Sequence, residues 1–159
     1  NNNSHFIIQT YNPENSAIKY AAKNDWETFW QEEDETRQAL NYPPYSQIVK
    51  LTLRHRDGKR AGQEAKILSA KLQQANKDEK IEISSALPAF IPRERGKFVW
   101  NIILKFPFSS PLFRKEGLAR AKLSFGEIYT TPEFIQHRNS LLQYVPQNWE
   151  TDVDPENLL

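Results

Sequence analysis

The sequence contains no cysteine. That excludes disulfide bonds and thiolate-held metal centres, and it fits a cytosolic protein. No apolar run reaches the ~18 residues of a membrane-spanning helix. A GxxxxGK loop, whose backbone N–H groups would cradle phosphates, is missing, so nucleotide binding by that route is excluded. His5, His55 and His137 lie far apart and share no metal-ligand spacing, and no serine stands in a Ser-His-Asp arrangement. There is no internal repeat and no low-complexity tract. No signal-peptide pattern is visible, and Asn1-Asn2-Asn3-Ser4-His5 reads as a truncation or cloning scar.

What is there supports one domain with an appendage. Hydrophobic residues make up 38% of the 159 and charged residues 26%, enough for a modest core and too apolar for wholesale disorder. The net charge of +1 hides its distribution: residues 1–40 are net −4, residues 41–126 net +10 and residues 127–159 net −5. A basic middle is the asymmetry of a domain that meets a polyanion. The competing reading is that the acidic ends fold back and neutralise it.

His5–Thr10 reads as a short strand without an evident sheet partner. Asn12 and Pro13 read as the cap and first turn of a helix ending near Ala22. Asn24-Asp25 reads as a second cap, after which Trp26, Phe29 and Trp30 form one apolar stripe. Asn41-Tyr-Pro-Pro-Tyr-Ser46 breaks the helix and marks the boundary between segments 1–40 and 41–159. Gln47–Arg56 alternates, with Val49, Leu51 and Leu53 on one face and Lys50, Thr52 and Arg54 on the other, the pattern of a half-buried strand. Lys59–Lys77 carries an apolar helical stripe through Ala61, Ala65, Leu68 and Leu72. Ile81–Leu87 is expected to be a strand, Pro88–Gly96 a turn and Phe98–Phe106 the central strand. A basic helix is expected over Leu112–Phe125, another helix over Glu133–Val145, and a last strand over Trp149–Asp154. Strand, helix, strand, strand, helix, strand is the order of an α+β, split βαβ (ferredoxin-like) domain with helices on one sheet face.

Candidate binding residues follow from that layout. Arg93, Arg95 and Lys97 recur at every second position. On an extended turn they would project to one side and suit phosphates; Glu94 offers partial compensation. Lys50 and Arg54 lie on the outer strand face, and Lys105 ends the central strand. Trp100 alternates with Phe98 and Ile102, which favours the core over a base-stacking role. Asp152 and Asp154 share a strand face, but with no third ligand in view they are expected to pair with sheet cations rather than hold Mg²⁺. No catalytic or metal-binding set is expected.

Four blocks carry a resemblance: IIQTYNPEN at 7–15, ETRQALNYPPYSQIVKL at 35–51, PAFIPRERGKFVWNIILK at 88–105 and VPQNWETDVDPENLL at 145–159. Together they resemble the C-terminal end of the primosomal protein N′ (PriA) family, the bacterial replication-restart DNA helicases. The resemblance implies that residues 1–40 are the tail of the second helicase lobe and a helical linker, and that residues 41–159 form a domain similar to ribosomal protein S10. It implies a cytoplasmic, non-catalytic part of a larger enzyme that helps bind forked or single-stranded DNA; the candidate contacts read from the residues themselves are Lys50, Arg54, Arg93, Arg95, Lys97 and Lys105. It also implies a pocket for the acidic tail of single-stranded DNA-binding protein, using an arginine after the central strand. No arginine stands directly there. Arg114 and Lys115 are the cations of that segment, and the region around 124–135 reads as inserted. The family's ATP, Mg²⁺ and Zn²⁺ would be held elsewhere, since this chain has neither the phosphate loop nor the cysteines. Two alternatives stay open: a docking module for acidic peptides without DNA binding of its own, and an RNA-binding S10-like module.

Overall fold

The computed structural model describes residues 7–76, 81–107, 132–156 and 158. The chain divides into two compact units, Asn1–Ala39 and Leu40–Leu159.

The first unit holds helices α1 (Ser16–Lys23) and α2 (Trp26–Ala39). Asn15, not Asn12, caps α1: its side chain accepts from the Ala17 N–H at 3.0 Å. Asn12 instead accepts from the Asn15 N–H at 3.2 Å and so makes the turn leading into the helix. Asn24 ends α1 in the left-handed conformation, and Asp25 caps α2 through the Thr28 N–H at 3.2 Å. Tyr20, Trp26 and Trp30 each pack a ring against Phe29. Neither helix buries a residue. Ile7–Thr10 is not a strand: it has no ladder partner among the described residues, and Ile7 is 89% exposed.

The second unit opens with a turn in which the Tyr45 N–H donates to the Tyr42 carbonyl at 2.9 Å across a cis Pro43–Pro44 peptide. Then come β1 (Ser46–His55), α3 (Gly58–Ala75), β2 (Glu82–Ile83), β3 (Leu87–Glu94), β4 (Lys97–Pro107), α4 (Pro132–Leu142) and β5 (Trp149–Val153). The architecture is α+β, with five strands in one antiparallel sheet and four helices among the described residues. The strand order is β2-β4-β1-β5, and β3 also pairs with β4.

The core follows from alternation. Val49, Leu51 and Leu53 pair in register with Leu104, Ile102 and Trp100 and turn one way. Asp57 caps α3 by accepting from the N–H groups of Lys59 and Arg60, and the helix lays Ala61, Gly62, Ala65, Leu68 and Leu72 on that face. Small residues let it approach closely: a Cβ on Gly62 would come within 2.9 Å of the Trp100 ring. Trp100 therefore packs against the core, as its alternation indicates. α4 adds Phe134, whose ring centroid lies 6.2 Å from that of Phe106, and Leu141. Fully burying each such side chain contributes about 1.5–3 kcal/mol.

One expected turn is mostly strand. Residues 87–94 pair with β4 at both ends, with a bulge between Pro88 and Arg93, and the chain reverses only at Arg95-Gly96. Pro88 and Pro92 donate no hydrogen bond, and here they belong to a bulged strand, where proline is tolerated. The expected strand Ile81–Leu87 shrinks to the two residues of β2. The basic helix expected over 112–125, with Arg114 and Lys115, lies outside the described residues.

Candidate functional site

The side chains of β1 and β4 that turn away from α3 and α4 form the second face of the sheet. Within the sheet unit, the described helices α3 and α4 contribute to the core on the other face. Lys50, Thr52 and Arg54 come from β1, and Val99 and Asn101 from β4. Their neighbours across the ladder are set by register: Lys50 stands opposite Ile103 on one side and Asp152 on the other, Thr52 opposite Asn101, and Arg54 opposite Val99. The bulge of β3 rises beside this floor and supplies Ala89, Phe90 and Ile91. The result is an open groove of about 390 Å³.

Charge in the groove is largely internal. Arg54 donates to Glu94 at 3.2 Å and to Glu150. Burial works against its charge, but the two carboxylates outweigh burial and hold the guanidinium above its ordinary value. Thr52 Oγ1 donates to Asn101 Oδ1 at 3.1 Å.

The three alternating cations sit on a hairpin, not on one extended segment. Glu94 pairs in register with Lys97 and Arg93 with Phe98, leaving Arg95 and Gly96 as a two-residue turn with φ of 48° and 79°. Positive φ at both central positions is what a type I′ turn demands. Arg93 lies over the Phe98 ring, 5.2 Å from its centroid. Glu94, through Arg54, ties this hairpin to the open face. No ion pair holds Arg93, Arg95 or Lys97 among the described residues.

Lys105 sits elsewhere. It lies six positions along β4 from Val99, about 20 Å of strand. Its Nζ donates to the Leu40 carbonyl at 2.9 Å, stands 4.2 Å from the Tyr42 ring centroid and lies 3.8 Å from Glu82. These contacts clasp the Tyr-Pro-Pro-Tyr turn to the sheet. Asp154 is likewise structural: its side chain accepts from the Ile48 N–H at 3.1 Å and from the Gln47 side chain at 3.0 Å, while its own N–H donates to the Ile48 carbonyl. Asp152 faces Lys50 across the ladder. Among the described residues no three His, Asp or Glu side chains gather as metal ligands, and no helix is long and apolar enough to cross a membrane.

Sequence reasoning missed Phe90, Ile91, Thr52 and Asn101 as members of this site. The signal for Thr52 and Asn101 was available, since both occupy the polar phase of their strands. Phe90 and Ile91 were hidden inside a segment read as a turn.

An antiparallel sheet with helices on one face, and a cation-flanked groove on the other, defines an α+β domain that presents a sheet surface. Residues 38–156 match the family described as the primosomal protein N C-terminal domain, and the chain belongs to that family. It is similar to proteins named replication restart protein PriA. The one from Borreliella burgdorferi is 36% identical over 97 residues, 61% of this chain and 14% of that protein. The one from Bacillus subtilis is 32% identical over 103 residues, 64% of this chain and 12% of that protein. The one from Treponema pallidum is 28% identical over 153 residues, 96% of this chain. The chain spans 20% of the Treponema relative and less of the other two.

Proposed function

We propose that this chain is the non-catalytic C-terminal part of a replication-restart DNA helicase, and that its sheet domain contributes contacts with forked or single-stranded DNA. The family match over residues 38–156 carries the reading. In it, residues 1–40 are the tail of the second helicase lobe, and the ATP, Mg²⁺ and Zn²⁺ chemistry belongs to the rest of a cytoplasmic protein. The strand order β2-β4-β1-β5, with helices on one face, supports a split βαβ, S10-like domain. Arg93, Arg95 and Lys97 on the hairpin, with Lys50 on the open face, are the phosphate contacts; Arg54 and Lys105 join them as cations already engaged within the protein. Contact with single-stranded DNA-binding protein is assigned to Arg114 and Lys115.

Salt dependence tests this. If three or four cations meet single-strand phosphates, log K should fall with log salt at a slope of about −2 to −3, from roughly −0.7 per phosphate. Replacing Arg93 and Arg95 by Ala should flatten that slope by about 1 to 1.5 units, with equal weakening across sequences. An unchanged slope in the double variant would remove the hairpin from the DNA contact. The second reading, a dock for acidic peptides, is favoured by the exposed Phe90 and Ile91 beside these cations, and an acidic peptide ending in Phe is the competitor that tests it.

A further inference from the structure

We infer that the groove of the open face receives one unstacked base of a single strand, with the Phe90 ring as its stacking surface and the Asn101 amide as donor to its edge. This rests on the DNA-binding reading and narrows it to single strands.

Phe90 is 78% exposed, at the crest of the β3 bulge. Pro88 and Pro92 flank it, and proline restricts the backbone that carries the ring. Ile91, 66% exposed, stands next to it. Both line a groove whose 390 Å³ is within the ~300–1,000 Å³ usual for small-ligand pockets. A π-face held open beside a concave polar floor is what a base can stack on, whatever its identity.

The floor supplies the edge contact. Thr52 Oγ1 donates to Asn101 Oδ1 and so fixes the amide with its oxygen occupied. The Asn101 NH₂ group has no partner among the described residues. It is a donor of the kind that the ring nitrogens and carbonyl oxygens of a base edge accept from.

Charge is distributed in the same sense. Arg54 is already shared by Glu94 and Glu150, and Glu94 itself lines the groove. A peptide carboxylate entering would meet Glu94 with its nearest arginine already engaged. An uncharged base meets no such opposition, and the phosphates on either side of it are met by Lys50, which lines the groove, and by Lys97, in the same strand phase as Val99 and Asn101. A duplex cannot use the groove, because its bases are stacked and their faces covered.

The test uses the full chain, a short fluorescent oligothymidylate and a blunt duplex, with binding read by anisotropy over a range of salt. Phe90→Ala should weaken single-strand binding about 5- to 150-fold, the equivalent of ~1–3 kcal/mol for one stacked base. The salt slope should not change, since stacking releases no counterion. Phe90→Tyr should retain affinity, and duplex binding should be indifferent to both changes. If wild type binds the oligothymidylate and Phe90→Ala binds it equally well, the groove is not a base site, although the DNA-binding reading stands. If wild type binds no oligonucleotide at any salt, both fail. If an acidic peptide ending in Phe binds in a Phe90-dependent way while the oligothymidylate does not, the groove is a peptide dock and the inference is overturned.

Discussion

Among the described residues, Asp57 shows how a single side chain holds secondary structure together. Its carboxylate accepts from the backbone N–H groups of Arg60 and Lys59 at the start of α3. The hydrogen bond from the Arg60 N–H is the largest cause of a lowered pKa; desolvation opposes it, and the hydrogen bond from the Lys59 N–H and the nearby Arg60 charge add to it. A carboxyl lowered in the folded state contributes stability that is fully present above its ordinary value and is lost as pH falls through the lowered one. Asp57→Asn keeps a capping oxygen but does not titrate. The stability gap between wild type and this variant, followed by thermal unfolding, should therefore be widest near neutral pH and shrink in acid. A gap constant with pH would mean that the charge plays no part in the cap. Lys105 and Asp154 extend the same lesson. Both stand where a sequence invites a ligand-binding role, and both close loops onto β1 and β4 through partners far away in the chain.

At the scale of elements, β1, α3 and β4 carry the domain. Leu68 is 4% exposed, in the middle of the α3 stripe and within the cluster that includes Val49, Leu51, Ile102 and Leu104. Leu68→Ala should cost roughly 2–5 kcal/mol in denaturant unfolding. A loss well below ~1 kcal/mol would mean that the helix presents another face to the sheet. These three elements were legible in sequence because each repeats its signal: alternation through Val49, Leu51 and Leu53, the 3-to-4-residue steps from Ala61 to Leu72, and a β-branched and aromatic run from Phe98 to Phe106. The polar face of β1 came with its apolar one, so Lys50 and Arg54 were placed correctly on the open side. β3 was not legible. It exists through pairing with β4 rather than through any pattern of its own, and its two prolines argue against a strand when read alone. With it went the geometry of Arg93, Arg95 and Lys97, whose spacing looks like one face of a strand but is divided between two strands by the turn at Arg95-Gly96. The exposure of Phe90 was unreadable for the same reason: a large aromatic counts as core unless the fold says otherwise.

The whole chain divides into units of different quality. Residues 40–159 contain the sheet and the buried cluster, whereas α1 and α2 contain no buried residue, with Trp26 55% and Trp30 63% exposed. Chains of fewer than about 40 residues seldom bury enough apolar surface to hold a fold without metals, disulfides or a partner surface, and this one has no cysteine. The ring contacts around Phe29 and the caps at Asn15 and Asp25 give the two helices local preference rather than global stability. Native-state hydrogen exchange resolves such differences, because amides in a core strand exchange only through global unfolding while those in marginal helices open locally. Amides of Phe98–Leu104 should be the slowest in the protein, those of α1 and α2 should be faster by orders of magnitude, and Ile8–Thr10 should exchange close to the rate of an unfolded chain. Protection in Ile8–Thr10 equal to that of Phe98–Leu104 would show that this segment has found a strand partner. It would then have to be counted with the sheet rather than with the helices that follow it.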